Sequence, residues 1–175
     1  LGVSHAPRLP VRPVRPAREE AENPFWRALC DPAEKPFAVE LDPPADADVT
    51  KFMDGARELQ AAGAAIITIA DCPIARARMD SSLMACKLKR ELGMDALPHM
   101  TCRDRNLNAT QALLLGLSAE GIRNVLLVTG DPIPSAERDE VKSVYNFNSR
   151  RLMKYVDGLN ASMLPAPFHI LGALN

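Results

Sequence analysis

The chain alternates between two hydrophobic patterns. Short apolar runs at 37–41, 65–70, 96–101 and 125–128 are separated by longer stretches in which apolar residues recur every three or four positions. The runs predict buried strands, and the stretches predict amphipathic helices. Phe52, Ala56 and Leu59 share one face of a helix that ends at Ala62, with Asp48 or Thr50 as N-cap and Gly63 just beyond. Further helices are predicted over 81–92, closed by Gly93, and over 109–119, with Gly121 near the end. Another over 149–159 precedes a fifth strand at 168–173. The β-branched run Ile66-Ile67-Thr68-Ile69 suits a strand covered on both faces. Strand starts recur about every 30 residues, the period of a βα unit, and right-handed crossovers then make the sheet parallel.

The apolar runs lead into polar residues: Asp42, Asp71, the Arg103-Asp104-Arg105 cluster and Asp131. A parallel βα sheet brings the C-terminal ends of its strands to one rim, where chemistry sits. Four polar strand ends on one rim describe an active-site face. A doubly wound sheet stays open, but strand one ends in Glu-Leu-Asp-Pro-Pro, which cannot form the Gly-rich phosphate cradle of the dinucleotide-binding folds. The expected fold is α/β, a parallel (β/α)8 barrel type. The chain has 175 residues, and a closed eight-fold barrel needs about 200 or more, so only about the first five strands are expected within it.

Residues 1–36 differ in composition. Pro7, Pro10, Pro13 and Pro16 alternate with Arg8, Arg12, Arg15 and Arg18, which favours an extended polyproline conformation and reads as a linker or arm. A short helix over 17–29, broken by Pro24, follows, with Phe25 and Trp26 as its anchors. The expected organisation is a leader over 1–36 and a barrel portion over 37–175. The net charge is −1 with acids and bases interspersed, which argues against a nucleic-acid partner, since that needs a basic stripe. No apolar run is long enough to span a membrane. Cys30, Cys72, Cys86 and Cys102 are far apart, with no C-x-x-C and no histidine at ligand spacing, so no metal is expected. Isolated cysteines without a secretion signal fit a cytoplasmic location.

Several residues are candidates for chemistry. Glu40 interrupts an apolar strand, where partial burial would raise its pKa and make it a general acid; the structural alternative is a salt bridge to Arg103 or Arg105. Asp131 lies in a Thr-Gly-Asp-Pro turn, where it can bind a ring N–H or hydroxyl, or serve as a turn cap. Gly130 permits close approach of the backbone to a ligand. His99, in strand three, is either a satisfied core residue or a site residue. Cys102, with no base beside it in sequence, reads as a packing residue. Asp71 and Asp104 are rim carboxylates or loop caps. Arg76 and Arg78, with Asp80 close by, read first as a salt-bridged helix start.

These residues carry a resemblance. Glu40-Leu41-Asp42-Pro43-Pro44, Ile69-Ala70-Asp71-Cys72-Pro73 with Ala75-Arg76, His99 through Asn106, and Val128-Thr129-Gly130-Asp131-Pro132 follow one another as in the methylenetetrahydrofolate reductase family. The chain looks most like the branch fused behind a homocysteine methyltransferase module, and the similarity covers about residues 37–175. The resemblance implies a (β/α)8 barrel holding FAD at its C-terminal rim. It also implies hydride transfer from a reduced nicotinamide or another electron donor, through the flavin, to 5,10-methylenetetrahydrofolate. By resemblance, Glu40 protonates the folate ring nitrogen, and Asp131 tunes the flavin and orients the folate. Ala70, Asp71, His99, Thr129, Gly130, Tyr145 and Asn146 match flavin-contacting positions. Some relatives carry Thr-Tyr-Gly after strand two, where this chain has Ala70-Asp71-Cys72, and some carry arginine in place of Thr129.

Two further expectations follow. An open sheet exposes edges that proteins normally pair or cover, so a homo-oligomer or a partner subunit over the edge is expected. The alternative function is a non-catalytic relative serving as a subunit or docking module of a methyl-transfer complex. An unrelated barrel lyase or aldolase acting through a Schiff base would need a strand lysine, and no predicted strand contains one.

Overall fold

A computed structural model describes residues 23–137 and 139–173. Five strands form one parallel sheet in strictly sequential order: β1 (Ala38–Leu41), β2 (Ile66–Ile69), β3 (Ala96–Thr101), β4 (Asn124–Val128) and β5 (His169–Gly172). A doubly wound sheet reverses direction partway through its strand order. Here every connection steps the same way, as in a (β/α) barrel. The helices between the strands are α2 (Thr50–Ala61), α3 (Ser81–Leu92), α4 (Leu107–Ala119) and α5 (Ser149–Ser162). They follow a first helix, α1 (Pro24–Cys30).

Strand alternation sorts the side chains onto two faces. Val39, Leu41, Ile67, Ile69, Met100, Val125, Leu127 and Ile170 join the main core with Phe52, Met84, Leu88, Leu114, Leu152 and Val156 of the helices. The other face carries Glu40, Thr68, His99 and Thr101, with register pairing Glu40 to Thr68 and His99 to Leu126. At the N-terminal edge this inner face is closed by α1. Phe25 packs on Ile66 and Leu97, while the Asn23 amide donates to Asn124 Oδ1 at 2.8 Å. Trp26 stacks on the ring of His169 with centroids 4.4 Å apart. Among the described residues, α1 covers that edge, and the C-terminal half of the inner face borders a cavity.

Three sequence expectations are corrected here. Pro24 does not break the first helix but begins it: Asn23 is the N-cap, accepting from the Trp26 N–H, and proline at the first helical position loses no intrahelical bond. Residues 17–22, where that helix was expected to start, and the proline- and arginine-rich segment lie outside the described residues. Helix α2 has no side-chain cap at Val49, and Asp48 instead accepts from the Thr50 N–H one residue earlier. Helix α4 starts at Leu107, two residues before the expected 109, because the Asn106 side chain caps it through the Ala109 N–H. The remaining strands and helices fall within a few residues of their expected bounds. Among the described residues, no helix is long and apolar enough to cross a membrane.

Candidate active site

At the C-terminal edge of the sheet lies a cavity of about 420 Å³. Its walls come from the ends of all five strands, with Ala173 after β5 among them. Glu40 is supplied by β1, Ala70, Asp71 and Pro73 follow β2, His99, Thr101 and Arg103 belong to or follow β3, and Thr129, Gly130 and Asp131 follow β4. Glu40 and Asp131 therefore face one space although two strands, β2 and β3, lie between theirs in the sheet order.

Glu40 is not buried. Val39 and Leu41 point to the helices, so alternation turns Glu40 into the open inner face, where its side chain is 56 % exposed. Neither Arg103 nor Arg105 reaches it. Its neighbours are the Thr68 hydroxyl at 3.5 Å and His99 Nε2 at 3.8 Å, both too far for a strong hydrogen bond. The carboxylate thus enters the cavity with little of its hydrogen-bonding capacity spent. His99 is largely buried, and burial pushes its pKa below the ordinary 6.5 although Glu40 and Asp71 pull the other way. It is a neutral ring at neutral pH, able to donate or accept one proton beside Glu40.

Asp131 has a different environment. Its Oδ2 accepts from the Ile74 N–H at 3.0 Å, and its own carbonyl accepts from Arg103 Nη1 and from the Tyr145 hydroxyl, each at 3.2 Å. The loop it holds is unusual: Cys72, Ile74 and Ala75 are non-glycine residues with φ of 47°, 49° and 58°. Such conformations are costly and persist where surrounding contacts over-determine them. Gly130, with φ of 92°, also makes a close approach within the protein itself. A β-carbon there would meet Thr101 Cβ at 2.9 Å, so the close approach is to strand β3.

Asp71 is buried, and one of its carboxylate oxygens is committed to structure. Its Oδ2 accepts from the Thr101 N–H at 2.9 Å, the Thr101 hydroxyl at 3.0 Å and Arg105 Nη1 at 2.7 Å. Arg105 Nη2 reaches Asp80, which also caps α3. Burial works against the Arg105 charge, but the two carboxylates outweigh it and raise its pKa. Arg76 pairs with Glu137 across the rim. Thr129 Oγ1 accepts from the Ser149 N–H, tying the end of β4 to the start of α5. Tyr145 and Asn146 do not line the cavity. The Asn146 side chain accepts from the Leu107 N–H at the start of α4, and Tyr145 reaches the site only through the Asp131 carbonyl.

Arg103, which the sequence offered only as an alternative partner for Glu40, has a different role. Its side chain is 2 % exposed and ties together the loops after β2, β3 and β4. The one signal available was an arginine directly after a buried strand and a buried Cys102. Cys102 itself packs as expected, and burial pushes its thiol up to about 11. Among the described residues, no three His, Cys, Asp or Glu side chains gather as a metal site requires.

Sequential parallel topology defines a protein of the (β/α) barrel type, with a polar cavity at the C-terminal edge of its sheet. The chain belongs to the methylenetetrahydrofolate reductase family, a family of oxidoreductases: that family's model matches residues 26–163, from within α1 to just past α5. Comparison with curated proteins gave no match.

Proposed function

We propose that this chain carries out flavin-dependent reduction of 5,10-methylenetetrahydrofolate to 5-methyltetrahydrofolate, with FAD as cofactor and a reduced nicotinamide or another donor supplying the electrons. The observation that carries the reading is the shared cavity: an exposed, weakly bonded Glu40 and a firmly held Asp131 facing one space. Its volume of about 420 Å³ is in the range of small-molecule sites. Ala70, Leu127 and Val128 give it apolar wall, and His99, Thr129 and Asp131 give it polar groups, a mixture suited to a heteroaromatic ring.

Ala70, His99, Thr129, Gly130 and Asp131 would hold the ring of FAD, which supplies hydride when bound and reduced. The protein's own part is proton delivery and orientation. Glu40 gives a proton to the folate ring nitrogen as the five-membered ring opens, which leaves the one-carbon unit as an electrophile. An exposed carboxyl can regain its proton from water after each turnover. Asp131 orients the pterin through a hydrogen bond and places negative charge near the flavin, a recognised influence on flavin electronics. Asp71 supports the wall through Thr101 rather than through a free carboxylate.

Titrating the chain with FAD and measuring the potential of the bound flavin tests the reading. The expected result is a yellow complex whose potential shifts in Asp131→Asn. A chain that stays colourless with excess FAD would overturn the proposal and favour a non-catalytic relative.

A further inference from the structure

We propose that Arg103 is the positioning residue for Asp131: its buried guanidinium locks the Cys72 and Asp131 carbonyls together and so sets where the Asp131 carboxylate sits in the cavity. Nη1 donates to the Asp131 carbonyl and Nη2 to the Cys72 carbonyl, both at 3.2 Å. Nε and Nη2 also bond the Asp104 carboxylate. A simple ion pair with Asp104 would not require burial, and Asp104 itself is 37 % exposed. Taking a guanidinium out of water is costly unless its donors are used, and here they are used on the two loops that flank the cavity.

The contacts close a ring. Arg103 holds the Asp131 carbonyl, the Asp131 carboxylate accepts from the Ile74 N–H, and the Cys72 carbonyl two residues earlier returns to Arg103. Asp131 is therefore held through its backbone and its side chain at once, and the left-handed residues Cys72 and Ile74 belong to the same ring. Tyr145 adds a second donor on the Asp131 carbonyl but touches neither Cys72 nor Ile74 through any bond of this ring. Lysine cannot replace the arginine, because an ammonium lacks the planar fork that reaches two carbonyls at fixed spacing. The consequence for flavin chemistry rests on the function proposed above; the positional statement does not.

The Ile74 amide is a direct reporter of where Asp131 stands. Native-state hydrogen exchange of the full chain, without cofactor, should show Ile74 exchanging on the order of tenfold faster in Arg103→Met, as for loss of one hydrogen bond. Asp131→Ala should accelerate it equally, and the double variant should be no faster than either single one, since both remove the same contact. Arg103→Lys should resemble Arg103→Met, and it serves as the test if the methionine variant does not fold. An unchanged Ile74 rate, additive effects, or uniform acceleration across β2, β3 and β4 would overturn the proposal and leave Arg103 a general fold stabiliser. With FAD bound, Arg103→Met and Asp131→Ala should shift the flavin potential in the same direction, again without adding. Failure of FAD to bind would defeat the functional reading, while the Ile74 result would still decide the role of Arg103.

Discussion

Gly130 and Thr101 approach so closely that a β-carbon on the glycine would lie 2.9 Å from Thr101 Cβ and 3.2 Å from its Cγ2. Thr101 cannot yield, because its N–H and hydroxyl are both fixed on buried Asp71. Gly130 also has a φ of 92°. Gly130→Ala should therefore lose at least about 2 kcal/mol, since a strained backbone position alone costs about 1–3 kcal/mol. Urea unfolding measures the loss directly. A change below about 0.5 kcal/mol, the size of an ordinary surface substitution, would show that the β3 and β4 ends are not packed in this way.

The His99 ring tests the other side of the cavity. Burial lowers its pKa from 6.5, and Glu40 is the first of the two carboxylates that oppose this. Glu40→Gln should therefore lower the His99 pKa further, as read from the ring proton shifts in an NMR titration. The sign for stability follows. Below 6.5 the unfolded chain binds a proton that the folded chain resists, so stability falls as the pH drops toward the folded-state value. His99→Gln should remove that part of the acid sensitivity. An unmoved or raised His99 pKa in Glu40→Gln would separate the two side chains.

The cysteines should divide by exposure. Cys30 is exposed, Cys72 half-buried, and Cys86 and Cys102 buried. Burial raises the pKa of Cys86 and lifts that of Cys102 to about 11, and only the thiolate is nucleophilic. Alkylation of the native protein at mildly alkaline pH should label Cys30 first and leave Cys86 and Cys102 unmodified until denaturant is added. Rapid labelling of Cys102 in the native protein, followed by mass spectrometry, would contradict the packing of β3 against the helices.

What the chain discloses before folding is mostly local. The run Ile66-Ile67-Thr68-Ile69 announces a strand buried on both faces, and Gly93 announces the end of a helix, because backbone preference and apolar periodicity act over a few residues. The rim carboxylates were legible for the same reason, since each lies within a few residues of the end of an apolar run. The partners were not. Glu40 faces His99 rather than an arginine because neighbouring strands set which side chains share a face. Asp71 binds Thr101 and Arg105, about 30 residues away. Arg103 spans contacts to Cys72 and Asp131 on either side of it in the chain. Such links depend on loop paths, and nothing in Cys72, Ile74 or Ala75 marks them for left-handed backbone. Pro24 misled because proline both ends helices and begins them, and only the Asn23 cap decides which.

The central claim is that Glu40 delivers a proton to folate in the cavity it shares with Asp131. Anaerobic reoxidation of the reduced, FAD-loaded chain by 5,10-methylenetetrahydrofolate, followed by flavin absorbance in native protein and in Glu40→Gln, tests it most directly. The account predicts reoxidation in the native chain and a rate lower by about 10²–10⁴-fold in the variant, the usual contribution of a positioned proton donor, with FAD still bound. Equal rates in the two proteins would contradict it.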